Sequence, residues 1–188
     1  MTGPCRSVIA VPPARSAPFQ RAFREVFSRL RRMSIAIGRE PLDGTAARAL
    51  IAALNAELLA RYPEEGATHF RLDLAEVAPG RGAFLVARMG TEPVGCGAIR
   101  RIDAATAEVK RMFVRPPARG RRVGAAILSA LEAEARRLGV ARLVLETGER
   151  QPESLALYRR AGFTEIPRFG AYVDSALSLC MAKVLDPA

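Results

Sequence analysis

Residues 112–139, MFVRPPARGRRVGAAILSALEAEARRLG, set a basic, glycine-containing turn between an apolar strand-like run and an apolar-striped helix. A helix N-terminus offers amide N–H groups without intrahelical acceptors and the positive end of the macrodipole. That arrangement binds phosphates. Gly120 and Gly124 let backbone approach a ligand without side-chain obstruction. Arg119, Arg121 and Arg122 stand at or before the helix start, where each cation costs a few tenths to about 1 kcal/mol. Such an accumulation calls for a compensating anion, so residues 114–124 read as an anion cradle; a solvated turn whose glycines only cap the chain is the other reading.

The elements that position this turn follow from periodicity. Residues 35–39 predict a short strand, and Asp43 or Thr45 a cap for a helix bearing Leu50, Ile51, Leu54 and Leu58 on one face. That helix stops near Pro63. Residues 69–82 are irregular, with one helical turn over 73–77. Residues 83–89, 94–101 and 106–114 read as a three-strand meander. A helix over 122–138 follows, its buried stripe Val123, Ile127, Leu131, Ala135 and Leu138, closed by Gly139. A strand at 141–146, a proline-opened helix at 152–161 and strands at 163–166 and 177–184 complete the order. Helices interrupting a mostly antiparallel meander define a mixed α+β sheet in a single domain. One parallel crossover is expected, between the strands ending at Val114 and beginning at Ala141.

Composition narrows the classes. Hydrophobic residues at 49% and charged residues at 26% are ordinary for a globular chain of 188 residues. No apolar run approaches the roughly 20 residues that span a bilayer. The net charge is +10, but residues 1–32 hold seven arginines against Glu25 alone. Concentrated in that way, the charge suits an anionic ligand as well as a polynucleotide, and nucleic acid is not expected. Residues 1–32 read as an N-terminal extension, disordered or partly helical, with the functional domain at 33–188; an Arg-rich targeting or membrane-surface helix is the alternative. Cys5, Cys96 and Cys180 are too widely spaced for a metal knuckle or redox pair, which fits a cytoplasmic protein. His69 is the one histidine, so no Ser/His/Asp triad or histidine metal cluster can form.

RGRRVG at residues 119–124 and SLALYRRAGF at residues 154–163 together resemble the GNAT superfamily of acetyl-CoA-dependent N-acetyltransferases. Its motif R-x-x-G-x-G/A is matched at Arg119 and Gly124, with Arg122 in place of the middle glycine. The resemblance covers roughly residues 34–184 and implies the GNAT-like acyl-CoA N-acyltransferase fold, helices on both faces of the sheet. It implies acetyl-CoA as co-substrate and no metal. Met112, Phe113 and Val114 would lie along the pantetheine arm, and Arg119, Gly120, Arg121, Arg122, Val123, Gly124 and Ala125 would wrap the pyrophosphate. Gln151 stands where the family usually has an asparagine on the cofactor.

Tyr158 matches the family's general acid, which protonates the departing thiolate; a phenol can donate such a proton, and a packed core tyrosine is the other reading. Glu108 matches a position where relatives place a base, and Glu146 is a weaker candidate; a surface pairing of Glu108 with Lys110 or Arg111 is equally compatible. Strand alternation turns Val109 and Phe113 away from Glu108 unless the strand bulges, as such strands commonly do in the family. Arg168 and Tyr172, in the loop at residues 168–175, are candidates for binding the acceptor, with residues 61–66 as the facing wall. The expected acceptor is a small-molecule primary amine. Protein lysines or N-termini, or a non-catalytic CoA-binding role, are the alternatives. Dimers are frequent among such relatives, so a homodimer is compatible with the resemblance.

Overall fold

The computed structural model describes residues 34–64 and 72–186. Expectations resting on residues 1–32, Cys5, Glu65, Gly66 and His69 lie outside the described residues. The elements are β1 (Ile35–Arg39), α1 (Thr45–Arg61), a short 3-10 turn (Leu74–Val77), β2 (Gly82–Met89), β3 (Glu92–Arg101) and β4 (Thr106–Val114). They are followed by α2 (Val123–Arg137), β5 (Arg142–Gly148), α3 (Pro152–Arg160), β6 (Thr164–Ile166) and β7 (Ser178–Val184). The strands form one seven-stranded sheet in the order β1-β2-β3-β4-β5-β7-β6. Every pairing is antiparallel except β4 with β5. This is the α+β architecture that the element order predicts.

Strand alternation sends side chains to two helical layers. Phe84 and Val86 of β2 meet Ala47, Leu50 and Leu54 of α1 on one face. Ala83, Leu85 and Ala87 meet Val123, Ile127, Leu128 and Leu131 of α2 on the other, together with Leu155 and Tyr158 of α3. Fully burying each such Leu or Ile contributes about 2 kcal/mol. The seat of α2 depends on the absence of side chains beneath it. A Cβ at Gly97 would lie 2.8 Å from both the Ile127 Cγ2 and the Met112 Sδ.

Two helix starts differ from expectation. α1 begins after Gly44, and neither Asp43 nor Thr45 supplies a side-chain cap. α2 begins at Val123 because Arg122 adopts the left-handed conformation, φ 62°. Its C-terminal end agrees with the sequence reading, Gly139 turning the chain at φ 71°.

The β4–β5 pairing is short, running from Thr106↔Arg142 to Val109↔Leu145. Beyond it β4 bulges. On β3, Cys96 faces Phe113 and Ala98 faces Lys110, so Gly97 stands against both Arg111 and Met112. Arg111 absorbs the extra residue at φ 57°. The bulge shifts the phase of the strand: Val109 packs in the α2 layer while Phe113 packs in the α1 layer. The two residues therefore face opposite sides, unlike their places in an unbroken strand. Meanwhile β5 continues through Glu146, Thr147 and Gly148 against β7. The strands diverge and a cleft opens between them.

Candidate active site

Two cavities open along this divergence. The outer one, about 860 Å³, runs over the basic turn and between α2 and α3. Met112, Phe113, Val114, Arg119, Gly120, Arg122, Val123, Gly124, Ala125 and Gln151 line it. Arg121, expected among them, is exposed and does not contribute to the lining. The inner chamber, about 120 Å³, is lined by Glu108, Lys110, Arg111, Glu146, Ser178 and the three tyrosines of the chain, Tyr62, Tyr158 and Tyr172. Met112, Gln151, Ser154 and Tyr158 border both spaces, which places them at the junction.

The turn has the features of an anion cradle. No side chain caps α2 and no acidic residue lies in its first turn. The first backbone bond of the helix runs from the Ala126 N–H to the Arg122 carbonyl, 3.0 Å. The amides of Val123, Gly124 and Ala125 precede it and have no intrahelical acceptor. Gly120 has φ 75°, and a Cβ at Gly124 would come within 3.3 Å of the Leu157 Cδ2, so the wall leaves little room for a side chain. The substitution of Arg122 for glycine acquires a physical meaning here. The position demands a left-handed backbone, and an arginine holding it is strained by about 1–2 kcal/mol. Arg119 points partly away from the cradle, its Nε donating to the Val114 carbonyl at 3.0 Å and its Nη2 to Glu57 at 2.5 Å.

At the junction, Tyr158 is buried and its ring lies 5.8 Å from that of Phe163. No described residue hydrogen-bonds its hydroxyl. Burial, assisted by the charge of Glu146, raises its pKa well above the ordinary phenol value, so it holds its proton at neutral pH.

The two candidate carboxylates differ. Glu108 is fully buried. The Arg100 Nε donates to it at 2.7 Å, the Tyr172 hydroxyl at 2.7 Å and the Lys110 Nζ at 3.4 Å. Arg100 also pairs with Glu76. These three donors fix the Glu108 carboxylate against the chamber wall. Its partners include Lys110, as the sequence allows, but not Arg111, which donates to Asn55 instead at 3.0 Å. Glu146 is the first residue of β5 beyond the last β4 pairing, and it accepts a hydrogen bond from the Ser178 Oγ at 2.6 Å.

The two acceptor-binding candidates also separate. Tyr172 lines the chamber and is tied there by Glu108 and by Lys110, whose Nζ donates to its hydroxyl at 2.6 Å. Arg168 does not reach the chamber lining. Its Nε and Nη2 donate to the Ser178 and Ala176 carbonyls, each at 3.0 Å, so it braces the loop instead. Tyr62, within the residues 61–66 expected as the facing wall, lines the opposite side of the chamber. A Cβ at Gly148 would collide with its hydroxyl at 2.0 Å, and the Arg150 amide donates to that hydroxyl at 2.9 Å. The glycine of β5 gave the only signal of this contact. Cys96 is no nucleophile: burial pushes its thiol up to about 12. Among the described residues no group of His, Cys, Asp or Glu could hold a metal ion, and no helix is long and apolar enough to cross a membrane.

The sheet is thus parted between β4 and β5, with the uncapped head of α2 at the gap. Residues 47–163 match the Acetyltransferase (GNAT) family, and the chain belongs to it. It is 42% identical over 153 residues, 81% of this chain and 99% of the relative, to an IAA acetyltransferase of Azospirillum brasilense. Among solved structures, an acyl-CoA N-acyltransferase described as putative from Klebsiella pneumoniae superposes with a TM-score of 0.72 at 34% identity, over 82% of this chain and 99% of that one. A GNAT acetyltransferase of Elizabethkingia anophelis, solved with acetyl-CoA bound, shares the fold at TM-score 0.59 and 19% identity, over 80% of this chain and 98% of that one.

Proposed function

We propose that the protein transfers the acetyl group of acetyl-CoA to the primary amine of a small molecule by direct attack. The observation that carries this reading is the continuity of the two cavities. A phosphate-binding turn leads along β4 to a small polar chamber, and Tyr158 stands where they join. Acetyl-CoA bound along this path supplies an acyl group activated as a thioester. The Arg122 side chain and the amides of residues 123–125 would hold its diphosphate, and Gln151 would border its pantetheine arm.

In the chamber, Glu146 takes the proton that an incoming ammonium must lose, and the neutral amine then forms its bond to the acyl carbon. As the carbon–sulfur bond breaks, Tyr158 gives its phenolic proton to the departing sulfur. The acylated nitrogen sheds its second proton through solvent to the Tyr158 phenolate, and Glu146 releases the first to solvent. Glu108 holds Tyr172 and Lys110 in the chamber wall rather than moving protons. The modest volume of the chamber, about 120 Å³, favours a compact amine over a polypeptide acceptor. The IAA acetyltransferase relative also favours a small acceptor. The test is thiol release from acetyl-CoA across a panel of small amines, alongside calorimetry with acetyl-CoA. Absence of saturable binding defeats the reading, and binding without turnover on any amine reduces the protein to a CoA-binding module.

A further inference from the structure

The basic turn is tied to α1 by an acid that faces the same cavity. Arg119 donates through Nη2 to the Glu57 Oε2 at 2.5 Å. The other oxygen of Glu57 accepts from the Arg61 Nη2 at 2.9 Å, and Arg61 pairs in turn with Glu153 in the first turn of α3. Ion pairs thus run from the turn, across α1, to the head of α3. Glu57, Arg119 and Glu153 all line the outer cavity.

α2 has no acid in its own first turn, so the carboxylate that answers Arg119 comes from α1. The pair is partly exposed, at 37% for Arg119 and 27% for Glu57. Partners at that exposure exchange readily, because such pairs are worth about 1 kcal/mol or less. A diphosphate entering the cradle meets Glu57 in two ways: the two anions compete for one guanidinium, and they repel each other across the cavity.

We propose that Glu57 is an internal competitor for the diphosphate of CoA, occupying Arg119 in the empty protein and lowering cofactor affinity. This rests on the acetyl-CoA reading of the site. Removing the negative charge of Glu57 then strengthens CoA binding while leaving Arg61 its bond to Glu153.

The experiment is calorimetric titration of CoA into the full chain, unsubstituted and as Glu57→Gln, Arg119→Gln and the double variant. Melting of each protein without ligand checks that it is folded. Glu57→Gln is expected to bind CoA about fivefold more tightly. In the Arg119→Gln background the same substitution is expected to change affinity by less than about twofold, the non-additivity that marks a shared partner. Equal or weaker binding by Glu57→Gln would assign Glu57 the opposite role, positioning Arg119 for the ligand, and overturns the proposal. A gain undiminished without Arg119 overturns it also, leaving simple charge repulsion. No saturable binding to the unsubstituted chain overturns the acetyl-CoA reading and this proposal together, whereas binding without the gain overturns the competitor alone.

Discussion

Replacing Tyr158 by Phe deletes one oxygen at the junction of the two cavities and keeps the ring against Phe163. If that oxygen donates to sulfur, kcat should fall by about a hundredfold or more while the affinity for acetyl-CoA, measured by calorimetry, stays within about twofold. Because the phenol is raised, its proton is retained as pH increases, so kcat should show no alkaline loss due to Tyr158 below pH of about 10. Glu108→Gln should act differently. It leaves Arg100 and Lys110 short of a buried anion, and a stability loss of about 2–3 kcal/mol is expected in urea unfolding. The sequence left Glu108 balanced between base and ion pair. Its cross-strand neighbour Arg100 was within reach of a register argument. The bond from Tyr172, 64 residues further along, was not, because a loop's closing position depends on tertiary packing.

The phosphate turn was legible as an element, since glycines, arginines and the apolar stripe of α2 all lie within one stretch. The departure at Arg122 was visible too, but only coordinates reveal that the backbone there is left-handed. Arg122→Gly should therefore raise the stability of the empty protein by about 1 kcal/mol, read as a higher Tm, because glycine adopts this conformation without strain. The bulge in β4 was harder to place. Nothing in TAEVKRMFV marks Arg111 as its apex, and a run of alternating residues reads as an unbroken strand. Gly97 records the close packing that accompanies the bulge. Gly97→Val should push against Ile127 and Met112 and destabilise the fold by about 2 kcal/mol in thermal or urea melts.

Over the whole molecule, alternation of strands and helices was enough to read the layers and the single parallel crossover, because those depend on short-range periodicity. The ion pair of Glu57 with Arg119 and the contact of Tyr62 with Gly148 were not readable, since each joins residues far apart in sequence. The buried Cys96 thiol and the Tyr158 and Tyr172 phenols make the fold sensitive to alkali. Cys96 is pushed up to about 12, and Tyr158 and Tyr172 are raised as well. Their unfolded counterparts ionise at about 8.5 and 10. Above those values these three groups hold fewer protons in the unfolded chain than in the folded one, so the stability they contribute is complete below about pH 8 and is lost as pH rises. The lowered Lys110 acts in the opposite sense. Urea midpoints measured from pH 8 to 11 should fall steadily. The parting of β4 from β5 has a consequence for isotope exchange. Past Val109, the backbone amides of β4 that point away from β3 have no strand beside them, although they lie in the middle of a seven-stranded sheet. Their deuterium uptake should resemble that of an edge strand in the empty protein and slow towards that of an interior strand when a ligand fills the gap.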